Sequence, residues 1–294
     1  MGTDTALRLR HARSCATLAE SALVLEALGI RHRIEFDGRE WGLWVAVEDA
    51  PAAGAELDTY ERENASPRAA PPRAEVVDSG WLGILGYLLV IWALPSLEAS
   101  AALGWDWREI GVMDAALVRE GEWWRTVTAL TLHGGLDHLV ANSLFGAVFG
   151  LFVGRYLGSG VGWLLVLLGG AVGNGANALI RGEVFRSVGA STATFAALAL
   201  VGAFVWRRGY LRGWGWRRRF APVFAGIALL VYTGFGGGNT DVVAHITGFA
   251  SGLVLGVAAA GMDLWRLGTR GQWLGGTLAA ALIAVCWGLA GATV

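Results

Sequence analysis

The chain has 294 residues, of which 54% are hydrophobic and only 16% are charged, and its formal net charge at pH 7 is −1. Globular proteins usually carry about 25% charged residues, and this low charge, together with the long uncharged runs described below, excludes a soluble enzyme and a disordered protein. Of the two cysteines, Cys15 lies in the polar N-terminal part of the chain and Cys286 lies in its last apolar run. We therefore expect neither a disulfide framework nor a cysteine-based metal site.

The first 78 residues are polar and acidic, with 9 arginines and 14 acidic residues. The start of the chain lacks the apolar stretch of a cleaved signal peptide. Apolar periodicity predicts a helix, two strands that meet at Asp37-Gly38 and a second helix. These elements lie over residues 14–28, 31–36, 40–47 and 51–63. We expect a small α+β soluble domain over residues 1–65 and a Pro-rich linker over 66–78.

Half of the chain lies in runs that contain no charged residue. The runs are 79–97, 138–154, 156–180, 187–206, 220–240, 242–262 and 271–294, and they hold 147 of the 294 residues. A membrane-spanning helix needs about 20 mostly apolar residues, whereas a strand of a membrane barrel has about ten residues that alternate. Because the runs are long and do not alternate, they predict an all-α polytopic membrane protein.

The arginines indicate how the spans are oriented. Six arginines lie in the loop at 207–219, and loops rich in arginine usually face the cytoplasm. Counting spans from that loop places the N-terminus in the cytoplasm and the C-terminus outside, and we expect the inner membrane of a bacterial cell. The loop at 98–125 then lies outside although it contains three arginines. Its four tryptophans, at 105, 107, 123 and 124, predict an element that lies on the bilayer surface.

Polar residues occur near the outer ends of three predicted spans, where they are costly and often functional. A serine hydroxyl is a poor nucleophile until a base takes its proton, and His245 is a candidate base for Ser191. Asn142 and His138, one helical turn apart, can stabilise an oxyanion together with the Ser191 backbone N–H. No carboxylate is placed to orient His245, since Asp241 lies at the loop edge. The pattern therefore indicates a Ser–His dyad.

Small residues indicate which helices touch. Glycines repeat every fourth residue after His245, at positions 248, 252 and 256. Such stripes let two membrane helices approach closely, so the fourth and sixth runs are predicted to pack together and to bring Ser191 to His245. In the third run, Asn174 and Asn177 are predicted to hydrogen-bond between helices.

Other interpretations stay open on these residues alone. Ser191 by itself is more often a helix-packing residue, and His133, His138 and His245 could bind a metal ion or haem. However, His133 and His138 do not share a helical face, and no acidic or cysteine ligand accompanies them. A transporter would need a polar path through the bilayer, whereas this cluster stops near the outer third. Nucleic acid is not expected as a partner, because membrane topology already explains the arginine-rich loop.

Three motifs in a fixed order resemble those of the rhomboid intramembrane serine proteases. Trp124-Arg125 is similar to the family's Trp-Arg pair, and HGGLDHLVAN over 133–142 is similar to its HxxxxHxxxN motif. GAST over 189–192 resembles GxSG, and AHITGFASG over 244–252 resembles AHxxGxxxG. The resemblance covers about residues 81–262.

The resemblance implies a six-helix core over 79–262 and one additional C-terminal transmembrane helix over 263–294. It implies an intramembrane serine endopeptidase that cleaves transmembrane segments of client proteins within the lipid bilayer, without a cofactor or metal. By this resemblance, Ser191 would be the nucleophile and His245 the base. Asn142 and His138 would line the oxyanion hole. By the same resemblance, the loop at 234–240 would cap the site and residues 220–233 would form a gating helix.

Two positions depart from the family pattern. Thr192 stands where GxSG has its second glycine, and Phe195 stands where a tyrosine usually stacks on the catalytic histidine. The alternative function is a catalytically weak or inactive rhomboid-like protein that binds and escorts membrane clients. His133 is expected to be structural and to brace the loop at 98–125.

Overall fold

A computed structural model describes residues 6–64, 74–211 and 241–294, together with the positions 217, 221, 224 and 228. Most of the predicted linker, most of the run at 220–240 and the predicted cap lie outside the described residues. The chain divides into two compact units, Met1–Ala70 and Pro71–Val294.

The first unit is an antiparallel sheet with two helices. In chain order its elements are β1 (Ala6–Ala12), α1 (Cys15–Ala27), β2 (His32–Phe36), β3 (Trp41–Ala46) and α2 (Ala50–Asn64). β3 is central and pairs with β1 on one side and β2 on the other. Leu25, Leu43 and Leu57 are fully buried in the core between helices and sheet. The two predicted helices and the predicted hairpin are confirmed.

The turn between β2 and β3 explains why the hairpin could be predicted. The Asp37 carboxylate accepts hydrogen bonds from the backbone N–H groups of Glu40 and Arg39, each at 2.8 Å. Gly38 adopts a φ of +92°, which favours glycine. The N–H groups of Glu40 and Arg39 hold the pKa of the Asp37 carboxyl below its usual value. The turn thus depends on residues that are adjacent in the sequence.

The second unit begins with one long helix followed by short elements. They are α3 (Trp81–Ala99), a 3₁₀ turn (Ala102–Gly104), α4 (Trp107–Gly111), β4 (Met113–Asp114), α5 (Ala115–Arg119) and α6 (Arg125–Thr128). β4 pairs with a short strand that lies between two later helices. The predicted element between the first two spans is therefore folded.

The remaining helices are long and apolar. They are α7 (Leu136–Leu157), α8 (Val161–Ile180), α9 (Ser191–Arg207), α10 (Val242–Ala259) and α11 (Gly268–Gly291), with β5 (Arg186–Ser187) before α9 and a 3₁₀ turn (Leu264–Leu267) before α11. Within the described ranges, five segments are long and apolar enough to cross a membrane: α3, α7, α8, α10 and the segment that contains α11. At 17 residues, α9 is shorter. The expectation of a helical multi-pass membrane protein with a small N-terminal sheet is confirmed at this level.

The short helix α9 is the centre of the second unit. Nearly all of its residues from Thr192 to Val205 are buried, and many of them are alanines. Its main packing partners are α10, α8 and α7. The helix that begins at Ser191 is therefore enclosed by three other helices.

The loop at 98–125 does not present all of its tryptophans to the bilayer surface. Trp107 is buried, and its ring lies 4.8 Å from that of Trp287 in an apolar cluster with Leu94 and Leu132. The expectation of a surface anchor is wrong for Trp107, because the C-terminal helix α11 supplies an apolar surface that its ring covers. Trp123, by contrast, is about half exposed.

Candidate active site

The four predicted site residues lie near the N-terminal ends of three helices. Ser191 is the first residue of α9, His245 lies in the first turn of α10, and His138 and Asn142 lie in the first two turns of α7. Asn142 and His245 are buried. The start of α9 lies beside the starts of both α7 and α10, so the three helices begin at the same end of the unit.

The contact between α9 and α10 is formed by backbone against backbone. A Cβ atom added at Gly248, Gly252 or Gly256 would overlap a carbonyl oxygen of α9. These oxygens belong, in the same order, to Thr192, Ala196 and Leu200. Equal steps of four residues on both helices show that they run parallel in constant register. The predicted close packing of the fourth and sixth runs is therefore confirmed.

The ring of Phe195 stacks on the ring of His245. The two centroids are 4.4 Å apart, the planes are inclined by 21°, and both side chains are buried. Phe195 lies one turn after Ser191 on α9, so this contact holds the imidazole against the helix that begins with the serine. The expected stacking on His245 is confirmed.

Ser191 is the first residue of α9, and His245 is the fourth residue of α10. The structure does bring their helices into contact. Thr192, next to Ser191, touches Gly248, which lies three residues after His245.

On α7, His138 reaches the segment that leads into Ser191. A Cβ at Gly189 would lie 2.6 Å from Cε1 and 2.9 Å from Nε2 of His138, and Gly189 has a φ of +137°. Gly189 also donates its N–H to the carbonyl of Ala129. Both the backbone conformation and the closeness of the ring require a glycine there, and they place His138 beside the start of α9.

Asn142 is held by hydrogen bonds within and between helices. Its side-chain amide donates to the carbonyl of His138 at 3.0 Å, and its backbone carbonyl accepts the Tyr87 hydroxyl at 2.8 Å. Tyr87 thus ties α3 to the turn of α7 that carries Asn142. The amide points back along its own helix, so it must turn away from the His138 carbonyl to bind an oxyanion.

Asp241 has a structural role that the sequence did not predict. Its carboxylate accepts hydrogen bonds from the amide of Asn177, the guanidinium of Arg181 at 2.9 Å and the backbone N–H of Ala244 at 3.1 Å. These bonds connect the end of α8 to the start of α10, close to His245. A signal was present in the sequence, since Asp241 is a typical N-cap residue, but its partners on α8 are 60 or more positions away.

The two asparagines of α8 both bond to other elements. Asn177 donates to Asp241, and Asn174 donates to the backbone carbonyl of Thr126 at 2.9 Å. The predicted role of these residues between helices is confirmed.

Arg125 supports the short elements within the loop at 98–125. It is buried, and its guanidinium donates to the backbone carbonyls of Glu109 and Val112 at 2.9 and 3.0 Å and pairs with the carboxylate of Glu122. Arg125, the arginine of the Trp-Arg pair, therefore bonds to groups of the same loop and has a structural role there.

His133 braces the same loop through its backbone and not through its ring. Its carbonyl accepts the Arg108 guanidinium at 2.7 Å. Neither ring nitrogen makes a hydrogen bond within the described residues, and the ring lies 5.3 Å from that of His138. Burial, assisted by the neighbouring His138, lowers the pKa of His133 to about 4.

We expect His133→Leu to make the protein less sensitive to acid. The unfolded chain takes up a proton at this histidine near pH 6.5, whereas the folded protein does so only near pH 4. The stability that comes from burying the neutral ring is therefore full above pH 6.5 and decreases as the pH falls, by about 2 kcal/mol at pH 5. Thermal unfolding of the detergent-solubilised protein at pH 7.5 and pH 5 measures this difference. The exposed His11 supplies the control variant, and an equal loss for wild type and His133→Leu would contradict the prediction.

The histidines do not form a metal site in the described ranges. There, no group of three His, Cys, Asp or Glu side chains is arranged to hold a metal ion. His133 and His138 contact each other edge to face, and His245 stacks on a phenylalanine.

Comparisons with known proteins place these elements in a family. A family model described as Rhomboid domain matches residues 120–261, a range that contains all four predicted site residues. The Putative rhomboid protease YdcA of Bacillus subtilis (strain 168) is 31% identical over 173 residues, which are 58% of this chain and 84% of that protein.

Two further relatives match over smaller parts of their own length. The Rhomboid protease GluP of Bacillus subtilis (strain 168) is 33% identical over 166 residues, which are 56% of this chain and 31% of that protein. The RHOMBOID-like protein 5 of Arabidopsis thaliana is 29% identical over 153 residues, which are 51% of this chain and 48% of that protein. The matched residues 120–261 lie in the helical unit that carries the motifs. The chain belongs to the rhomboid family.

Proposed function

We propose that this protein is an intramembrane serine endopeptidase in which Ser191 is the nucleophile and His245 is the general base. The observation that carries the proposal is the parallel packing of α9 on α10 at Thr192 and Gly248. This contact places the start of both helices side by side, and Phe195 holds the His245 ring there. Two of the relatives are named as rhomboid proteases, which supports the same chemistry.

The reaction needs only groups that these helices carry. His245 takes the proton of the Ser191 hydroxyl as the oxygen attacks the peptide carbonyl, and a tetrahedral intermediate forms. When the C–N bond breaks, the protonated imidazole gives its proton to the leaving amine. Water then attacks the acyl-enzyme by the same steps and releases Ser191. Asp241 is engaged with Asn177 and Arg181, which favours a dyad without a carboxylate partner.

The developing oxyanion requires donors near Ser191. We assign this role to the Ser191 backbone N–H and to the side chains of Asn142 and His138. Ser191 begins α9, where backbone N–H groups are not used within the helix. His138 lies beside Gly189, two residues before Ser191.

The substrates in this proposal are transmembrane segments of other membrane proteins. A helical peptide bond hides its carbonyl, so a client segment must partly unwind near the cut, and small or helix-breaking residues are favoured there. With the N-terminus in the cytoplasm, the ends of α7, α9 and α10 that carry the site face the outside of a bacterial inner membrane. Cleavage then occurs near the outer end of the client.

Labelling by a fluorophosphonate serine probe tests the proposal directly. We expect the purified wild type to be labelled at Ser191 and Ser191→Ala to remain unlabelled, since the probe reacts only with an activated hydroxyl. Mass spectrometry of the labelled peptide identifies the serine. Absence of labelling in folded wild type would overturn the proposal and favour a rhomboid-like protein that binds and escorts clients.

Thr192→Gly is expected to lower stability while it preserves or raises the labelling rate. Thr192 is buried, and its methyl group fills the space between Gly173 on α8 and Gly248 on α10. Removing it leaves a void and adds a helical glycine, which together cost about 1–3 kcal/mol. Thermal unfolding and probe labelling per folded molecule measure the two effects. Thr192→Ser serves as the matched control, and a sharp fall in labelling for Thr192→Gly alone would give Thr192 a role of its own.

A further inference from the structure

The second unit contains a cavity of about 730 Å³ between α3 and α11. Parts of α8 and α9 form its inner wall. Its lining includes residues of all four helices and the residue before α9, among them Gly86, Tyr87, Trp163, Ala190, Thr194 and Gly276. The cavity therefore reaches from the surface of the helical unit to the residue that precedes Ser191.

The space exists because α3 and α11 pack mainly on different helices. α3 packs on α7, whereas α11 packs on α8. At one end of the gap, Trp107 and Trp287 join the two helices through an apolar cluster. At the other end, Asp78 and Gln272 bind the turn between α7 and α8. Between these two ends, the cavity separates α3 from α11 among the described residues.

Glycines keep the cavity open. A Cβ atom added at Gly86 would meet no atom within 4 Å, and one at Gly276 would make only an ordinary contact of 3.7 Å. On the rim, Leu89 is 72% exposed and Trp273 is 63% exposed. Since α3 and α11 are membrane-spanning helices, these exposed apolar side chains face lipid, and the cavity opens sideways into the bilayer.

The walls suit a hydrocarbon chain and not a polar ligand. Three of the polar groups that line the cavity already bond to the protein. Asp78 accepts from Ser159, Gln272 accepts from Gly160, and Thr194 donates to Ala190. The Trp163 Nε1–H is a lining donor that is buried without a hydrogen-bond partner in the described part of the chain. One such donor does not replace the hydrogen bonds to water that a polar ligand would lose, and that loss is costly.

The volume excludes a client helix. A helix is about 10 Å wide, so a space of about 730 Å³ holds about six of its residues, whereas a spanning segment has about 20. The same volume lies within the range of roughly 300–1,000 Å³ in which small-molecule pockets fall. A single acyl chain is flexible enough to enter from the side and thin enough to fill the gap.

We propose that this cavity binds one acyl chain of a membrane lipid. The chain packs against Ala190 and Thr194 behind the start of α9, and against Tyr87, whose hydroxyl holds the carbonyl of Asn142. The bound lipid thereby supports the two elements that carry Ser191 and Asn142. This last consequence rests on the proposed function, whereas binding of the chain does not.

The test uses a phosphatidylcholine whose acyl chain carries a photoactivatable diazirine, mixed into nanodiscs that contain the full chain. After irradiation, mass spectrometry maps the cross-linked peptides. We expect cross-links to concentrate on the cavity-lining parts of α3 and α11. Gly86→Leu and Gly276→Leu place a side chain in the cavity, and each is expected to reduce these cross-links at least several-fold.

The matched control is Gly288→Leu, because Gly288 also lies on α11 and has open space around it but does not line the cavity. It is expected to cross-link like the wild type, and so is Ser191→Ala, which separates lipid binding from catalysis. If Gly86→Leu fails to fold, Gly276→Leu carries the test. Cross-links spread evenly over all lipid-facing helices, or unchanged in the folded cavity-filling variants, would overturn the proposal.

Discussion

Ser191→Ala and His245→Ala are each expected to reduce cleavage of a purified transmembrane client to background, while the double variant is no worse than either single one. The Ser191 hydroxyl and the His245 imidazole act in the same chemical step. Because neither group catalyses that step without the other, the losses from the two substitutions do not add. For His245→Ala, loss of the general base alone predicts a decrease of about 10²- to 10⁴-fold in kcat. Client cleavage in detergent or in nanodiscs measures the rate.

The control for this experiment is thermal unfolding of the same variants. Ser191→Ala is expected to unfold like the wild type, because a serine at the first position of α9 contributes little to packing. His245→Ala removes the ring that stacks on Phe195, so some loss of stability is expected there. Undiminished cleavage by a folded single variant, or losses that multiply in the double variant, would contradict a shared role.

Gly252→Val is expected to separate α9 from α10 and to lower the unfolding temperature by about 2–12 °C. A side chain at this position would overlap the backbone carbonyl of Ala196, which cannot move without shifting α9. Overpacking a close contact costs about 1–3 kcal/mol or more, and each kcal/mol shifts the unfolding temperature by about 2–4 °C in a chain of this size. Serine-probe labelling is expected to fall in parallel, since Ser191 and His245 approach each other through this contact.

Gly288→Val is the matched control for the helix contact. It introduces the same side chain into a membrane-spanning helix, at a glycine with open space around it. We expect its unfolding temperature and labelling to stay close to the wild-type values. If Gly252→Val behaved like Gly288→Val, the backbone contact between α9 and α10 would not determine the geometry of the site.

Local sequence signals predicted the parts of the fold that depend on neighbouring residues. The β2–β3 hairpin follows from Asp37-Gly38, where side-chain and backbone bonds close the turn within four residues. β1 was not predicted, because it pairs with β3 from Ala6–Ala46 to Ala12–Trp41, across tens of intervening residues, and two of its alternate positions are arginines.

For the candidate site, the sequence allowed two predictions: which residues form it, and that α9 packs on α10. The four-residue spacing of glycines after His245 predicted the packing of α10 on α9, and the structure confirms it. The roles of Ser191, His245, Asn142 and His138 stay predictions until cleavage and labelling are measured. The bonds that Asp241 makes to the end of α8 could not be predicted, because no periodic pattern links residues so far apart.

The sequence by itself determined the class of this protein and the positions of its candidate site residues. Long uncharged runs require helices that satisfy their own backbone hydrogen bonds in lipid, and ordered motifs mark one serine and its polar partners. Only the tertiary structure decided which surfaces those helices share. It buried Trp107 under Trp287, turned the Asn142 amide toward His138, and left an apolar cavity between α3 and α11. The physical reason is that the amino-acid composition of a helix determines whether it lies in lipid or in water. The contacts between helices depend instead on the shapes of segments that are far apart in the chain.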